Sequence, residues 1–135
     1  MNKEDFFEAL QEELSQFIVH KECETEIQNY IVGTGKEKRF LALLKTRKKQ
    51  IKQLSQADII KIEEFEILKG ENGLMAMHLT SKEFNYRILF RYIENNQILL
   101  LCFEERQGKK KTEYSSFTPI AHERYANYMK GGSDR

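Results

Sequence analysis

The sequence predicts an α+β fold: N-terminal helices packed on one face of a twisted antiparallel sheet of three or four strands, with a C-terminal helix. Three observations predict it. Apolar residues recur at helical spacing from Phe6 to Leu54. Beyond the glycine turn at Gly70–Gly73 the period shortens from about 3.6 to about 2 residues. The segment "QILLLCFEE" is apolar throughout its middle, as a strand covered on both faces should be. A chain of 135 residues, 40% hydrophobic and 32% charged, suits one domain, residues 1–135, with a single core.

The elements follow in order. Phe6, Phe7, Leu10, Leu14, Phe17 and Ile18 give a helical period from Lys3 to Ile18. Asn2 caps it, and Glu4 and Asp5 favour the positive end of its dipole. The pattern of "QFIVHK" fits either the end of this helix or a short strand. A second helix covers Glu22 to Val32 and is stopped by "GTG" at 33–35. A third runs from about Lys36 to Leu54, with Lys45, Arg47, Lys48, Lys49 and Lys52 on its polar face. "SQADIIKIEEFEILKGENG" stays ambiguous, a short helix from Asp58 and then an irregular link being one reading. "LMAMHLT" alternates, with Met75, Met77 and Leu79 on one side and Ala76 and His78 on the other. "YRILFRYI" sets Tyr86, Ile88, Phe90 and Tyr92 against Arg87, Leu89, Arg91 and Ile93. The last helix begins near Pro119, a favoured first-turn residue, and ends before Gly131-Gly132.

If Asn95-Asn96 is a two-residue hairpin turn, Arg87 lies opposite Glu104, Leu89 opposite Cys102 and Arg91 opposite Leu100. One face then gathers Tyr86, Ile88, Phe90, Tyr92, Leu99, Leu101 and Phe103 against the helices. The other gathers His78, Arg87 and Glu104 near one end of the sheet, with Arg106 and Lys109–Lys111 just beyond it. A titratable imidazole, a fixed cation, a carboxylate and a basic loop can handle a phosphate. Each feature has an ordinary reading too: a cross-strand ion pair, a structural histidine, a solvated basic turn and a solvated helix face.

Charge is segregated along the chain although the net value is only +1. Residues 1–35 hold eight acids and two bases, whereas 36–52 hold eight bases and one acid. Such blocks either neutralise each other or present a basic face to an acidic partner. Cys23 and Cys102 stand in no CxxC or Cys/His spacing, so no structural zinc site is expected, and no cofactor. No apolar run approaches the roughly 18 residues of a membrane span. The acidic, helix-patterned N-terminus is unlike a secretory or transit signal, so a reduced, cytoplasmic protein without membrane contact is expected.

The helical hairpin with its basic third helix, "FEILKGENGLMAMHL", "YRILFRYIENNQILLLCFEER" and "KKTEYSSFTPIAHERYANYM" together resemble the RelE/ParE toxin superfamily, in its HigB-like, phage-type branch. In the last piece Lys111-Thr112, Ile120, Ala121, Arg124 and Tyr128 follow that branch's closing pattern. The likeness spans roughly Glu22 to Lys130, leaving an extra acidic helix at about 3–18 and no clear match to the family's usual first strand. The resemblance implies a type II toxin, held by a cognate antitoxin (a helix-turn-helix protein), that cleaves mRNA on the ribosome without a metal. The RNA 2′-hydroxyl would attack the adjacent phosphate. Arg87 matches the family's phosphate-binding strand arginine, and His78 stands where some members carry a lysine. Glu104, Arg106 and Tyr114 fall where others keep further active groups. Lys109, Lys110, Lys111, Lys45, Lys48, Lys49 and Arg91 would hold RNA.

Two alternatives stand beside this. One is a non-catalytic binding protein or ParE-like inhibitor acting by protein contacts; the other is a degenerate toxin kept for its antitoxin. The face bearing Leu89, Ile93, Ile98, Leu100 and Cys102 is expected to keep apolar surface for an antitoxin segment, or a sheet edge to accept its strand.

Overall fold

The structure, a computed structural model, describes residues 1–105 and 113–131. The elements run α1 (Lys3–Leu14), β1 (Ile18–Val19), α2 (Lys21–Ile31), α3 (Glu37–Gln53), α4 (Gln56–Ile59), β2 (Phe65–Ile67), β3 (Met75–Thr80), β4 (Asn85–Ile93), β5 (Asn96–Glu104) and α5 (Thr118–Met129). Asn2 does cap α1, its side chain accepting the Asp5 N–H at 2.8 Å. The helix ends at Leu14, and "QFIVHK" resolves into the short strand β1. Gly33 and Gly35, at φ +78° and +80°, turn the chain between α2 and α3 where a side chain would be strained.

The sheet has five strands in the order β1-β5-β4-β3-β2. It is mixed rather than wholly antiparallel, because β1 runs parallel to β5 while every other neighbour is antiparallel. The two additional strands are two and three residues long, too short to declare a period of two in the sequence.

Helices cover both faces. On one face α1, α2 and α3 bury Phe6, Leu10, Ile27, Phe40 and Leu44 against Met75, Met77, Ile88 and Phe90. This is the methionine side of β3, as the alternation requires. On the other face α5 brings Ala121, Tyr125 and Tyr128 onto Leu89, Ile98, Leu100 and Phe103. Leu89, Ile98 and Leu100 are therefore fully buried within the chain, and Cys102 belongs to the first core. The apolar surface expected for a partner on this face is filled by the chain's own C-terminal helix.

The β4–β5 hairpin also departs from expectation. Ile93 pairs with Asn96, so Glu94 and Asn95 make the turn, one position earlier than Asn95-Asn96, with Glu94 at φ +56°. The pairing then shifts between Leu89 and Phe90, from Leu89↔Leu101 to Phe90↔Leu99, leaving Leu100 as an extra residue. Near its far end the slip is one residue, which exchanges faces. Arg87 lies opposite Phe103, and Glu104 lies opposite Tyr86. Leu101 and Phe103 accordingly join the α5 core, not the α1–α3 core.

Beyond Leu99, β5 has no strand neighbour on its outer side among the described residues. Two side chains bond that edge. Glu26 of α2 accepts the Cys102 N–H at 2.9 Å, and Arg124 of α5 donates to the Leu100 carbonyl at 2.8 Å. The same guanidinium reaches both oxygens of Glu26, at 2.9 and 2.8 Å, a two-pronged ion pair that joins the helices of opposite faces around the edge.

Candidate functional site

The register of β3 and β4 sets His78 directly opposite Arg87, on the face away from α1–α3. A carboxylate completes the group, but it comes from β2. Glu66 Oε1 lies 3.2 Å from His78 Nε2 and accepts the Tyr114 hydroxyl at 2.7 Å. Glu66 pairs with Ala76 in the ladder, so alternation puts its side chain on the same face as His78. Tyr114 reaches it from the segment before α5, its ring set edge-on to Phe103 at 6.0 Å.

Arg87 is buried at 8% exposure, and its Nη1 donates to Asn85 Oδ1, with Thr80 Oγ1 at 3.4 Å and the Tyr86 carbonyl at 3.5 Å. It is a cation fixed in the sheet. Arg47 approaches from α3 and donates through Nε to the His78 carbonyl at 2.9 Å. Burial, then Arg87, and more weakly Arg47, push the His78 pKa below its ordinary value of 6.5, with Glu66 opposing them. Near neutrality the ring is therefore uncharged. With its Nε2 hydrogen given to Glu66, the lone pair sits on Nδ1. Burial, then the Glu66 hydrogen bond, raises the Tyr114 phenol, which stays protonated.

Two cavities border this cluster. One, of about 460 Å³, is lined by Glu66, Ile67, Leu68, Lys69, Glu71, Tyr114, Ser115 and Thr118. The other, of about 260 Å³, is lined by Arg47, Glu63, Glu64, His78 and Thr80. Among the described residues no group of three or more His, Cys, Asp or Glu side chains could hold a metal ion.

The remaining sequence-derived residues are dispersed. Glu104 sits on the opposite face, where burial and its carboxylate push the Tyr86 phenol up to about 12. Arg91 places its guanidinium 3.9 Å from the Tyr125 ring centroid, a stacking contact inside the chain. Lys48 is paired with Glu13 at 2.6 Å. Lys45 and Lys49 are exposed, but on a helix that packs on the far side of the sheet from Arg87. Arg47, read as part of the solvated basic face, is buried. Arg106, Lys109, Lys110 and Lys111 lie outside the described residues.

Sequence reasoning missed Glu66, which takes the place expected of Glu104. Its one signal is the alternation of Phe65, Glu66 and Ile67, a window too short to read alone. No family model, curated protein or solved structure matches the chain. No helix among the described residues is long and apolar enough to cross a membrane.

Proposed function

We propose that the protein is an endoribonuclease toxin of the RelE/HigB kind, acting on ribosome-bound mRNA, with His78 as base and Arg87 as the fixed cation beside it. The observation that carries this reading is the His78 ring held by Glu66 and facing Arg87 across two paired strands. In the reaction, His78 Nδ1 takes the proton of the RNA 2′-hydroxyl. The new O–P bond forms as the bond to the 5′-oxygen breaks, that oxygen takes a proton from water, and the hydroxide so formed takes the proton from His78 Nδ1, which restores the base; the half-exposed Glu66 leaves the cluster open to solvent. Arg87 offsets the charge gathered on the phosphorus-bound oxygens.

A purified-component assay tests this. His78→Ala should lower cleavage of ribosome-bound mRNA by about 10²–10⁴-fold while the circular dichroism spectrum is unchanged. Arg87→Lys, which keeps charge but not the planar fork, should lose less than Arg87→Ala.

A second reading has its own observation. Arg87 is committed to Asn85, Thr80 and the Tyr86 carbonyl, as a purely structural cation would be. In that case the protein acts by protein contacts, and induction produces growth arrest without new codon-phased 5′ ends in transcripts.

A further inference from the structure

The two edges of the sheet are finished differently. On the β5 edge the Cys102 N–H is taken by Glu26 and the Leu100 carbonyl by Arg124. β2 forms the other edge, its one strand neighbour among the described residues being β3. Leu68 donates to the Leu74 carbonyl at 2.9 Å, and His78 to the Glu64 carbonyl at 2.8 Å. Glu64, Glu66 and Leu68 therefore turn their peptide groups towards β3. Hydrogen bonding alternates along an antiparallel strand, so Phe65 and Ile67 turn theirs outward. The Phe65 N–H goes to the Ile62 carbonyl at 2.9 Å, but no described residue bonds the Ile67 N–H or carbonyl. The Ile67 side chain is 52% exposed. Ile60, 44% exposed, follows the short helix α4, whose Gln56 reaches Met75 directly opposite Ile67. An open, apolar strand edge is a template for another chain, which is why most folds cover or charge it.

We infer that a second copy of this chain pairs with β2, antiparallel, with the two Ile67 residues opposite each other at a twofold axis. Each Ile67 N–H then donates to the facing Ile67 carbonyl, and the two side chains form an apolar cross-strand pair. The residues decide this register. Centring the pair on Glu66 sets two carboxylates against each other, and centring it on Phe65 uses an N–H already given to Ile62. With Ile67 at the axis, Glu66 faces Leu68 of the second copy. A foreign strand would need an apolar residue at the same place; this chain supplies its own. One edge serves both copies, as a closed twofold pair requires. Two five-stranded sheets become one. A three-residue strand and a flanking isoleucine make a contact smaller than the roughly 1,200 Å² of stable interfaces, so the pair forms at high protein concentration. The pairing does not depend on the RNA-cleaving reading.

Sedimentation velocity of the full chain, from about 10 μM to about 1 mM, should show a monomer passing to a dimer. Over the same range amide exchange at Ile67 should slow by about tenfold, while Glu66, already paired with Ala76, stays unchanged. Ile67→Lys opposes two ammonium groups at the axis and should weaken the dimer by about tenfold, with the urea midpoint of the monomer unchanged. Ile67→Pro removes the outward N–H without touching the β2–β3 bonds and should abolish the dimer. A monomer at every concentration, a dimer that Ile67→Lys leaves intact, or a dimer whose Ile67 amide exchanges as fast as the monomer's would each overturn the pairing.

Discussion

The two faces of the sheet are built on different terms. Under α1–α3 the strands present Met75, Met77, Ile88, Phe90 and Leu99, all fully buried, and the charge of Glu104 stands at the very end of β5. Under α5 the cover is partial. Leu89, Ile98 and Leu100 are sealed, but towards the β2–β3 side the same face carries Glu66, His78 and Arg87. One helix cannot close a five-stranded face, and the uncovered part is where polar groups are held. Stability is concentrated on the first face and the candidate chemistry on the margin of the second.

Substitutions can break or sharpen that contrast. The largest effect should come from Phe90→Ala, costing about 3–5 kcal/mol by loss of transfer energy and an unfilled cavity. Urea denaturation should show it well above the cost of Tyr125→Ala, which removes a part-buried ring and the stacking of Arg91, the latter worth about 1 kcal/mol. Equal costs would mean that the α5 face is as much a core as the other. Next comes Arg124→Ala, expected to cost about 1.5–3 kcal/mol because Glu26 and the Leu100 carbonyl lose a charged donor. Its hydrogen-exchange signature should be faster exchange at the β5 edge, with α1 unaffected.

The next effect is in pH. The His78 pKa is lowered on folding, so the unfolded chain takes up a proton first as the solution is acidified. This contribution to stability is fully present above pH 6.5, falls as pH drops towards the folded-state pKa, and is constant below it. In His78→Gln that part of the pH dependence of the urea midpoint should vanish. The smallest effects belong to α3, where Lys49→Ala should change stability by less than about 0.5 kcal/mol. Lys48→Ala, which breaks the Glu13 pair, should cost up to about 1 kcal/mol, less at high salt.

Much of this was legible in the sequence. The change of period placed β3, β4 and β5, the Asn2 cap and Gly33–Gly35 bounded helices, and the alternation turned His78 away from the methionines. The register of the hairpin was not legible because of two one-residue events. Asn95-Asn96 looks the better turn by residue type, yet Glu94 adopts the positive φ. The bulge at Leu100 sits in a run of leucines that any register satisfies. A slip of one residue is invisible in "ILLL", but it puts Glu104 on the α1–α3 face and Phe103 on the α5 face, each opposite to expectation. Glu66 was hidden for another reason: three residues of strand inside a mixed segment carry too little pattern to orient a carboxylate.

The central claim is that the His78–Glu66–Arg87 cluster cleaves RNA, and mapping of transcript 5′ ends after induction tests it most directly. Wild-type protein should create new, codon-phased ends, and His78→Ala, at equal expression and with an unchanged fold, should not. The same ends in the alanine variant, or none with the wild type, would contradict it.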